Sequence, residues 1–381
     1  MRSSPSPLPS PARGEGDLGT EGLQDPLSPG GRGQGRGGEG GVLLDDWHPV
    51  AAAGDVPAGE LVPVRLLDRE LVLWRAADGK VRAWEDRCPH RGTRLSIGRI
   101  YGDEVVCAYH GWHFDGGARC TLVPALPGVA EKMQARVLAF QVKEKYGLVW
   151  VCLGAPAADV LPFPEYDDPN LRKVLCGPYD VATSGPRIVE NFLDMAHFAM
   201  IHTGILGDPS RPEVRDYDVA QFDDGQGGKG VIATHCFAWQ PQTNSLAHGG
   251  SEVEYTYRVV RPLTAILTKL PLAQSDFREA ISLHVQPVGE EQCRVWIILA
   301  LTNFVQTEDE LRAFQDRIFL QDKPILENQV PKKLPLDPGA EMPVRCDRMS
   351  LAYRRYLRDK ALRYGVEITA YTYHEGTKNT K

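Results

Sequence analysis

Two short stretches carry the densest chemistry in this 381-residue chain: Cys88-Pro89-His90 and Cys107-Ala108-Tyr109-His110, with sixteen residues between His90 and Cys107. Each half offers one thiolate and one imidazole. Two irons bridged by sulfide can divide such a set, one iron taking both thiolates and the other both neutral histidines. That division raises the reduction potential above that of an all-cysteine cluster and leaves two ring N–H groups facing outward. Gly92, Gly98 and Gly111 permit sharp turns near the ligands, and Pro89 stiffens the first loop. Zinc is the competing metal, because two Cys and two His are also a zinc set. A zinc finger of that composition places both cysteines first and both histidines last. Here each half is mixed and the intervening segment is rich in turns and strands, so the spacing favours iron and sulfide.

The second constellation runs from Asn191 to His202, with Asp194, His197 and His202 at its polar positions. On a helix Asp194 and His197 share a face. His202 lies five residues beyond His197 and needs a widened turn or a helix end to converge with it; Thr203-Gly204 supplies such an end. Two histidines with a later carboxylate make the facial set that holds non-haem Fe(II) and leaves positions open. Two histidines on an apolar helix are also common as ordinary core residues, and the cluster motif upstream tips the balance towards metal. Three downstream carboxylates could complete the set: Asp316, Asp322 and Glu327. Pro324 would bend a helix beside Asp322, but periodicity leaves Asp322 and Glu327 nearly equal.

The elements that must position these residues read as an α+β chain. Short strands and turns fill residues 47 to about 155, including Leu61–Leu67, Leu71–Arg75, Val81–Asp86, Glu104–Val106, Val137–Lys143 and Leu148–Cys152, with a tight turn at Asp78-Gly79. The two cluster loops flank Glu104–Val106, and Trp112 and His113 beside them read as packing positions. Residues 155–170, rich in Pro and Asp, read as a linker. A helix is expected over Arg187–Ile201. Six alternating runs follow, Val214–Phe222, Gly230–Trp239, Ser251–Val260, Thr264–Leu270, Phe277–Val288 and Arg294–Asn303, which predict one large antiparallel sheet. Glu308–Asn328 returns to a helical period with Thr307 as its cap, and Met349–Tyr364 predicts a basic amphipathic helix stopping at Gly365. The expected division is a tail over 1–42, a cluster domain over 43–155 and a second, iron-binding domain over 156–381. Phe237, Trp239, Tyr255, Ile266, Leu283 and Ile297 are the candidates for the inner wall of a pocket in the second domain.

Composition is that of an ordinary globular protein: 42% apolar, 24% charged, with a formal net charge of −7. The acidic balance argues against nucleic acid as the main partner. Eight cysteines lack disulfide-style spacing and suit a reducing, cytoplasmic setting. No apolar run reaches the length of a membrane span. Residues 1–41 are rich in Gly, Pro and Ser and predict disorder. They lack the apolar stretch of a secretory signal, and their acidic residues speak against a transit peptide; a start codon further downstream would also explain them. No Gly-x-Gly-x-x-Gly unit follows a strand, so a nucleotide reductant must be handled by another protein.

With both motifs in view, the chain resembles the Rieske non-haem iron oxygenases, specifically their oxygenase component. Within them it is most similar to the monooxygenase and demethylase group typified by vanillate O-demethylase and toluenesulfonate methyl-monooxygenase. The likeness spans about residues 45–365 and rests on Trp47-His48-Pro49, Cys88 to Gly92, Tyr109-His110-Gly111-Trp112, Asn191 to His202, Asp322 to Gln329 and Asp347–Arg358. It implies that Cys88, His90, Cys107 and His110 bind a Rieske [2Fe–2S] cluster, and that His197, His202 and Asp322 bind mononuclear Fe(II). It implies that Asp194 is a bridging carboxylate reached by a cluster histidine of a neighbouring subunit, here His110, in a homotrimer, with Asn191 beside the iron. It also implies a helix-grip second domain, a curved sheet over a long helix with the substrate cavity between them. The implied activity is hydroxylation or oxidative demethylation of a small aromatic or heterocyclic substrate, using O2 and electrons from NAD(P)H through a separate reductase or ferredoxin, with no membrane partner. The alternative is a Rieske electron-transfer protein without oxygenase activity. Such respiratory proteins usually carry an extra disulfide, and the corresponding positions here are Thr93 and Tyr109.

Overall fold

The computed structural model describes residues 41–368, apart from 224, 227, 248, 275 and 276. The expected tail therefore lies outside the described residues up to residue 40. Residues 41 and 42 belong to a helical turn, Gly41–Leu44, that buries Leu43.

The N-terminal part is built from β1 (His48–Ala52), β2 (Leu61–Leu66), β3 (Arg69–Arg75), β4 (Val81–Glu85), β5 (Arg99–Tyr101), β6 (Glu104–Val106), β7 (His113–Asp115), β8 (Cys120–Leu122), β9 (Ala139–Lys145) and β10 (Leu148–Cys152). They form a sheet in the order β1-β10-β9-β4-β3-β2 and a second, β5-β6-β7-β8. The smaller sheet carries the two cluster loops, one entering β5 and one joining β6 to β7. Trp74 and Trp84, edge to face at 5.1 Å, pack with Val105, Trp112 and Phe114 into a core that also holds Cys88 and Cys107. Three bulky indoles here bury much of the apolar surface available to so small a unit.

The C-terminal part is one seven-stranded sheet of β11 (Arg172–Val181), β12 (Asp218–Asp223), β13 (Lys229–Gln240), β14 (Ser251–Arg261), β15 (Thr264–Pro271), β16 (Glu279–Gly289) and β17 (Gln292–Leu301), in the order β11-β17-β16-β15-β14-β13-β12. The pairings are antiparallel throughout, as the alternating runs predict. Period-two alternation divides the side chains between two faces. Tyr255, Leu267, Leu283, Ile297 and Leu299 lie in the larger core, whereas Ile266, Ala280, Trp296 and Ile298 pack with Trp47, Trp150 and Phe163. Three longer helices complete the part: α1 (Gly185–Leu193), α2 (Glu308–Asn328) and α3 (Arg348–Asp359). Helix α2 begins with a reciprocal cap, Thr307 accepting from the Glu310 N–H and Glu310 from the Thr307 N–H. It continues through Pro324 to Asn328. No helix among the described residues is long and apolar enough to cross a membrane.

Three expectations need correction. The single helix over Arg187–Ile201 is broken: α1 ends at Leu193, and a separate helical turn spans Phe198–Ile201. The Asp194 side chain accepts the Ala196 N–H at 2.8 Å, a local bond that competes with helix propagation. Strand β11 was not expected, because Gly177-Pro178 interrupts its alternation. In the sheet that dipeptide is a register shift between Cys176 and Tyr179 opposite β17. The last helix stops at Asp359 rather than at Gly365, which adopts a positive φ of 71° just before the short strand Val366–Glu367.

Candidate metal centres

The two cluster loops repeat one backbone design. Gly92 N–H donates to the Cys88 carbonyl at 2.9 Å and Gly111 N–H to the Cys107 carbonyl at 3.1 Å; both glycines have positive φ, 76° and 67°. Cys88 N–H in turn donates to the Thr93 carbonyl at 2.8 Å, and Cys107 N–H to that of Trp112 at 2.9 Å. Each loop thus closes on itself at the fourth and fifth residue past its cysteine, and L-residues rarely adopt the conformation that the fourth position requires. Asp86 clamps the first loop, accepting from Ser96 N–H at 2.7 Å and Ser96 O–H at 2.6 Å.

The side chains these loops present fit a metal cluster. Cys88 and Cys107 are buried free thiols that face each other. Burial, aided by the neighbouring Cys107 and opposed by the His90 backbone N–H, pushes the Cys88 thiol up to about 11. Two buried thiols side by side suit a shared metal. The His90 and His110 rings lie 4.5 Å apart, and His90 stacks on Trp112 at 4.5 Å. His90 Nδ1 is buried with no hydrogen-bond partner. An orphaned ring nitrogen beside two thiols calls for a ligand rather than a core role. His110 and Tyr109 are exposed, so this edge faces solvent. His113 points elsewhere, to Glu104 at 2.8 Å.

In the C-terminal part, α1 delivers Asn191, the turn after it delivers Asp194 and His197, and the Phe198–Ile201 turn ends on His202. Asp322 comes from the buried stripe Leu311, Gln315, Phe319, Asp322, Leu326 of α2. The structure brings His197, His202 and Asp322 together. His197 Nε2 is 3.2 Å from His202 Nε2 and 3.4 Å from Asp322 Oδ1, and His202 Nε2 is 3.2 Å from Asp322 Oδ1. The other ring nitrogens are held by acceptors: His197 Nδ1–H by Asp194 Oδ2 at 3.1 Å, and His202 Nδ1–H by Gln321 Oε1 at 2.9 Å. With both protons on Nδ1, three lone-pair atoms converge on one point, an arrangement that only a cation relieves. Asn191 Nδ2 lies 3.5 Å from Asp322 Oδ1.

Neighbouring groups set the charge on the residues around the triad. Burial opposes ionisation of Asp194, but the His197 hydrogen bond and charge and the Ala196 and His197 backbone donors outweigh it and hold the carboxyl below its ordinary value. Burial likewise favours neutral His202, whereas Asp322 and Gln321 favour its cation more strongly, so its pKa is raised in the metal-free protein. The rival carboxylate Glu327 is engaged elsewhere: it accepts from Ala182 N–H at 2.9 Å and pairs with Lys323. Asp316 accepts from Tyr179. Gln321 was not singled out from sequence, and nothing in its local pattern marks it.

A cavity opens on this triad, between α2 and the sheet. Including its mouth it encloses about 920 Å³ not filled by protein atoms. Tyr255, Leu283 and Ile297 line it as expected, whereas Phe237, Trp239 and Ile266 do not. Ile266 lies on the opposite sheet face, and Phe237 and Trp239 pack under Arg215 and Arg211.

Comparison with known proteins finds matches for both parts of the chain. Residues 46–134 match the family described as the Rieske [2Fe-2S] domain, and residues 181–363 match the vanillate O-demethylase oxygenase C-terminal domain. The chain is 35% identical to the probable methylxanthine N7-demethylase NdmC of Pseudomonas sp. (strain TJI-51), over 86% of this chain and 98% of that protein. A stretch of 129 residues, 34% of this chain and 22% of the other, is 41% identical to the oxidoreductase NdmD of Pseudomonas putida. The solved structure of Pseudomonas putida CBB5 NdmA with caffeine superposes with a TM-score of 0.73 at 28% identity, covering 87% of this chain and 98% of that one.

Proposed function

The chain belongs to the Rieske non-haem iron oxygenases, and from that premise we propose that it N-demethylates a planar, N-methylated heterocycle of the methylxanthine kind. It is an oxygenase rather than a mere electron carrier, it acts on a small molecule, and a separate reductase supplies its electrons. The observation that carries the substrate reading is the cavity: apolar walls of Phe192, Phe198, Ile281 and Phe314 flank the His197, His202 and Asp322 nitrogens and oxygen directly. Apolar walls with few polar groups suit a flat, weakly polar ring.

In this reading Cys88, Cys107, His90 and His110 hold the Rieske cluster, and His197, His202 and Asp322 hold mononuclear iron. When bound, the cluster supplies single electrons and the iron activates dioxygen. Asp194 and Gln321 keep a proton on each histidine Nδ1, leaving Nε2 free to bind metal. Asn191 orients Asp322. The apolar wall excludes water and turns one methyl group towards the triad. The balance is R2N–CH3 + O2 + 2 e⁻ + 2 H⁺ → R2N–CH2OH + H2O, after which the carbinolamine breaks its C–N bond to give R2NH and formaldehyde. Asp194 would also accept from His110 of a neighbouring subunit in a homotrimer, with a ferredoxin or NAD(P)H reductase docking at the exposed cluster edge. The same reading divides the chain into domains at 43–155 and 156–381 and places it in the cytoplasm.

The test is anaerobic purification with iron and sulfide counts, followed by oxygen uptake and formaldehyde release with a reductase. N-methylxanthines and O-methyl aromatics would be compared side by side. Formaldehyde from the first group supports the proposal; release from the O-methyl compounds alone overturns it.

A further inference from the structure

The cavity wall carries a polar row that metal binding does not use. Tyr255, Lys269 and Glu279 are direct register partners across β14, β15 and β16, and all three line the cavity. The next row is Tyr257, Leu267, Ile281 and Leu299, and the one after it Val259, Ala265, Leu283 and Ile297. A buried lysine and glutamate thus interrupt the aliphatic and aromatic rows that the sheet presents to the cavity. Their charged atoms are 3.8 Å apart, with side chains 4% and 11% exposed. That separation is too long for a strong direct hydrogen bond. A buried pair so loosely joined does not repay its desolvation, and an apolar pair of equal volume would be as stable or more so. Burial lowers the Lys269 pKa and raises that of Glu279, each partly offset by the other. Beside them the Tyr255 hydroxyl is hydrogen-bonded to the Gln240 side-chain amide.

We propose that this row recognises one edge of the substrate and selects heterocycles with a lactam edge, a ring carbonyl beside a ring N–H, over analogues methylated at that nitrogen. The inference rests on the demethylase reading and narrows its substrate class. Lys269 donates to the carbonyl and Glu279 accepts the N–H. The gap between the two charges becomes the seat of a donor–acceptor edge. A methyl on that nitrogen would abut the carboxylate and leave it desolvated and unpaired. Sites built to bond a substrate N–H reject analogues lacking it far more strongly than apolar pockets reject a methyl group.

The experiment uses the holoenzyme with its reductase and two probes: 7-methylxanthine, which keeps its lactam N–H groups, and caffeine, which has none. Formaldehyde release should favour 7-methylxanthine by roughly 1,000-fold or more in kcat/KM, beyond what an apolar pocket achieves against one methyl group. Glu279→Gln should lower that ratio mainly through KM. Lys269→Met/Glu279→Met, matched in volume and free of buried charge, should retain the cluster absorption and bring the ratio below about 10. Equal turnover of both probes by the parent, or an unchanged ratio in the double variant, overturns the inference and leaves the demethylase reading standing. Turnover of neither probe removes both.

Discussion

Gln321 gives the sharpest test of how the iron site is held. In the metal-free protein, His202 has two places for its proton: Nδ1, facing Gln321 Oε1 at 2.9 Å, or Nε2, facing Asp322 Oδ1 at 3.2 Å. Only the first leaves Nε2 free for metal. Gln321→Leu removes the Nδ1 acceptor, so the proton settles on Nε2 in the empty site. Metal must then drive it to a nitrogen that has no partner. His202 is 1% exposed, so water cannot substitute. An unsatisfied buried N–H costs about 1–3 kcal/mol, which is roughly 5- to 140-fold in Fe(II) affinity. Gln321→Glu restores an acceptor, adds negative charge, and should bind at least as tightly as the parent. Affinity is measured anaerobically by chelator competition on cluster-loaded protein, with the cluster absorption as the check on folding. An Fe(II) affinity for Gln321→Leu within about threefold of the parent would refute the reasoning.

Two further outcomes are expected. Asp194→Ala should keep both iron centres, because water can reach the 14% exposed His197 side chain in place of the lost acceptor, and lose roughly 10- to 100-fold in coupled activity; coupled turnover at the parent level would remove Asp194 from the electron route. Arg354 makes two hydrogen bonds to Glu190, at 2.6 and 2.9 Å, and one to Glu341 at 2.5 Å, tying α3 to α1 behind the iron site. Arg354→Met leaves Glu190 nearly buried with only Arg187 at 3.6 Å, and should cost about 3 kcal/mol in denaturant unfolding. Burial already holds the Glu190 pKa above its ordinary value in the parent, against Arg354 and Arg187; losing Arg354 raises it further, so the folded variant keeps its proton to higher pH and the loss should grow as pH rises above the parent's Glu190 pKa. A loss that instead shrinks with rising pH would contradict this.

What was legible in the sequence is what short-range pattern encodes. Cys-x-His and Cys-x-x-His with glycines at the fourth position specify two ligand loops, because the turns close within five residues. Period-two alternation foretold six strands of the larger sheet, and Thr307 with Glu310 foretold the start of α2. Where local pattern was ambiguous or interrupted, it misled: Gly177-Pro178 hid β11, and the Asp194 side chain ended a helix that apolar periodicity would have continued.

Chain folding over long separations decided the rest. Periodicity could not separate Asp322 from Glu327; packing could, because α2 turns Asp322 to the cavity and Glu327, more than one turn further on, to the Ala182 amide. Gln321 acquires its role only when α2 meets His202, more than a hundred residues earlier in the chain. Tyr255, Lys269 and Glu279 look like unrelated strand residues until register aligns them across three strands. Sequence alone determined which chemistry was available and the local elements that carry it. Tertiary structure decided which carboxylate, which proton acceptor and which buried charges share a cavity, because convergence in space depends on register and packing that no local window contains.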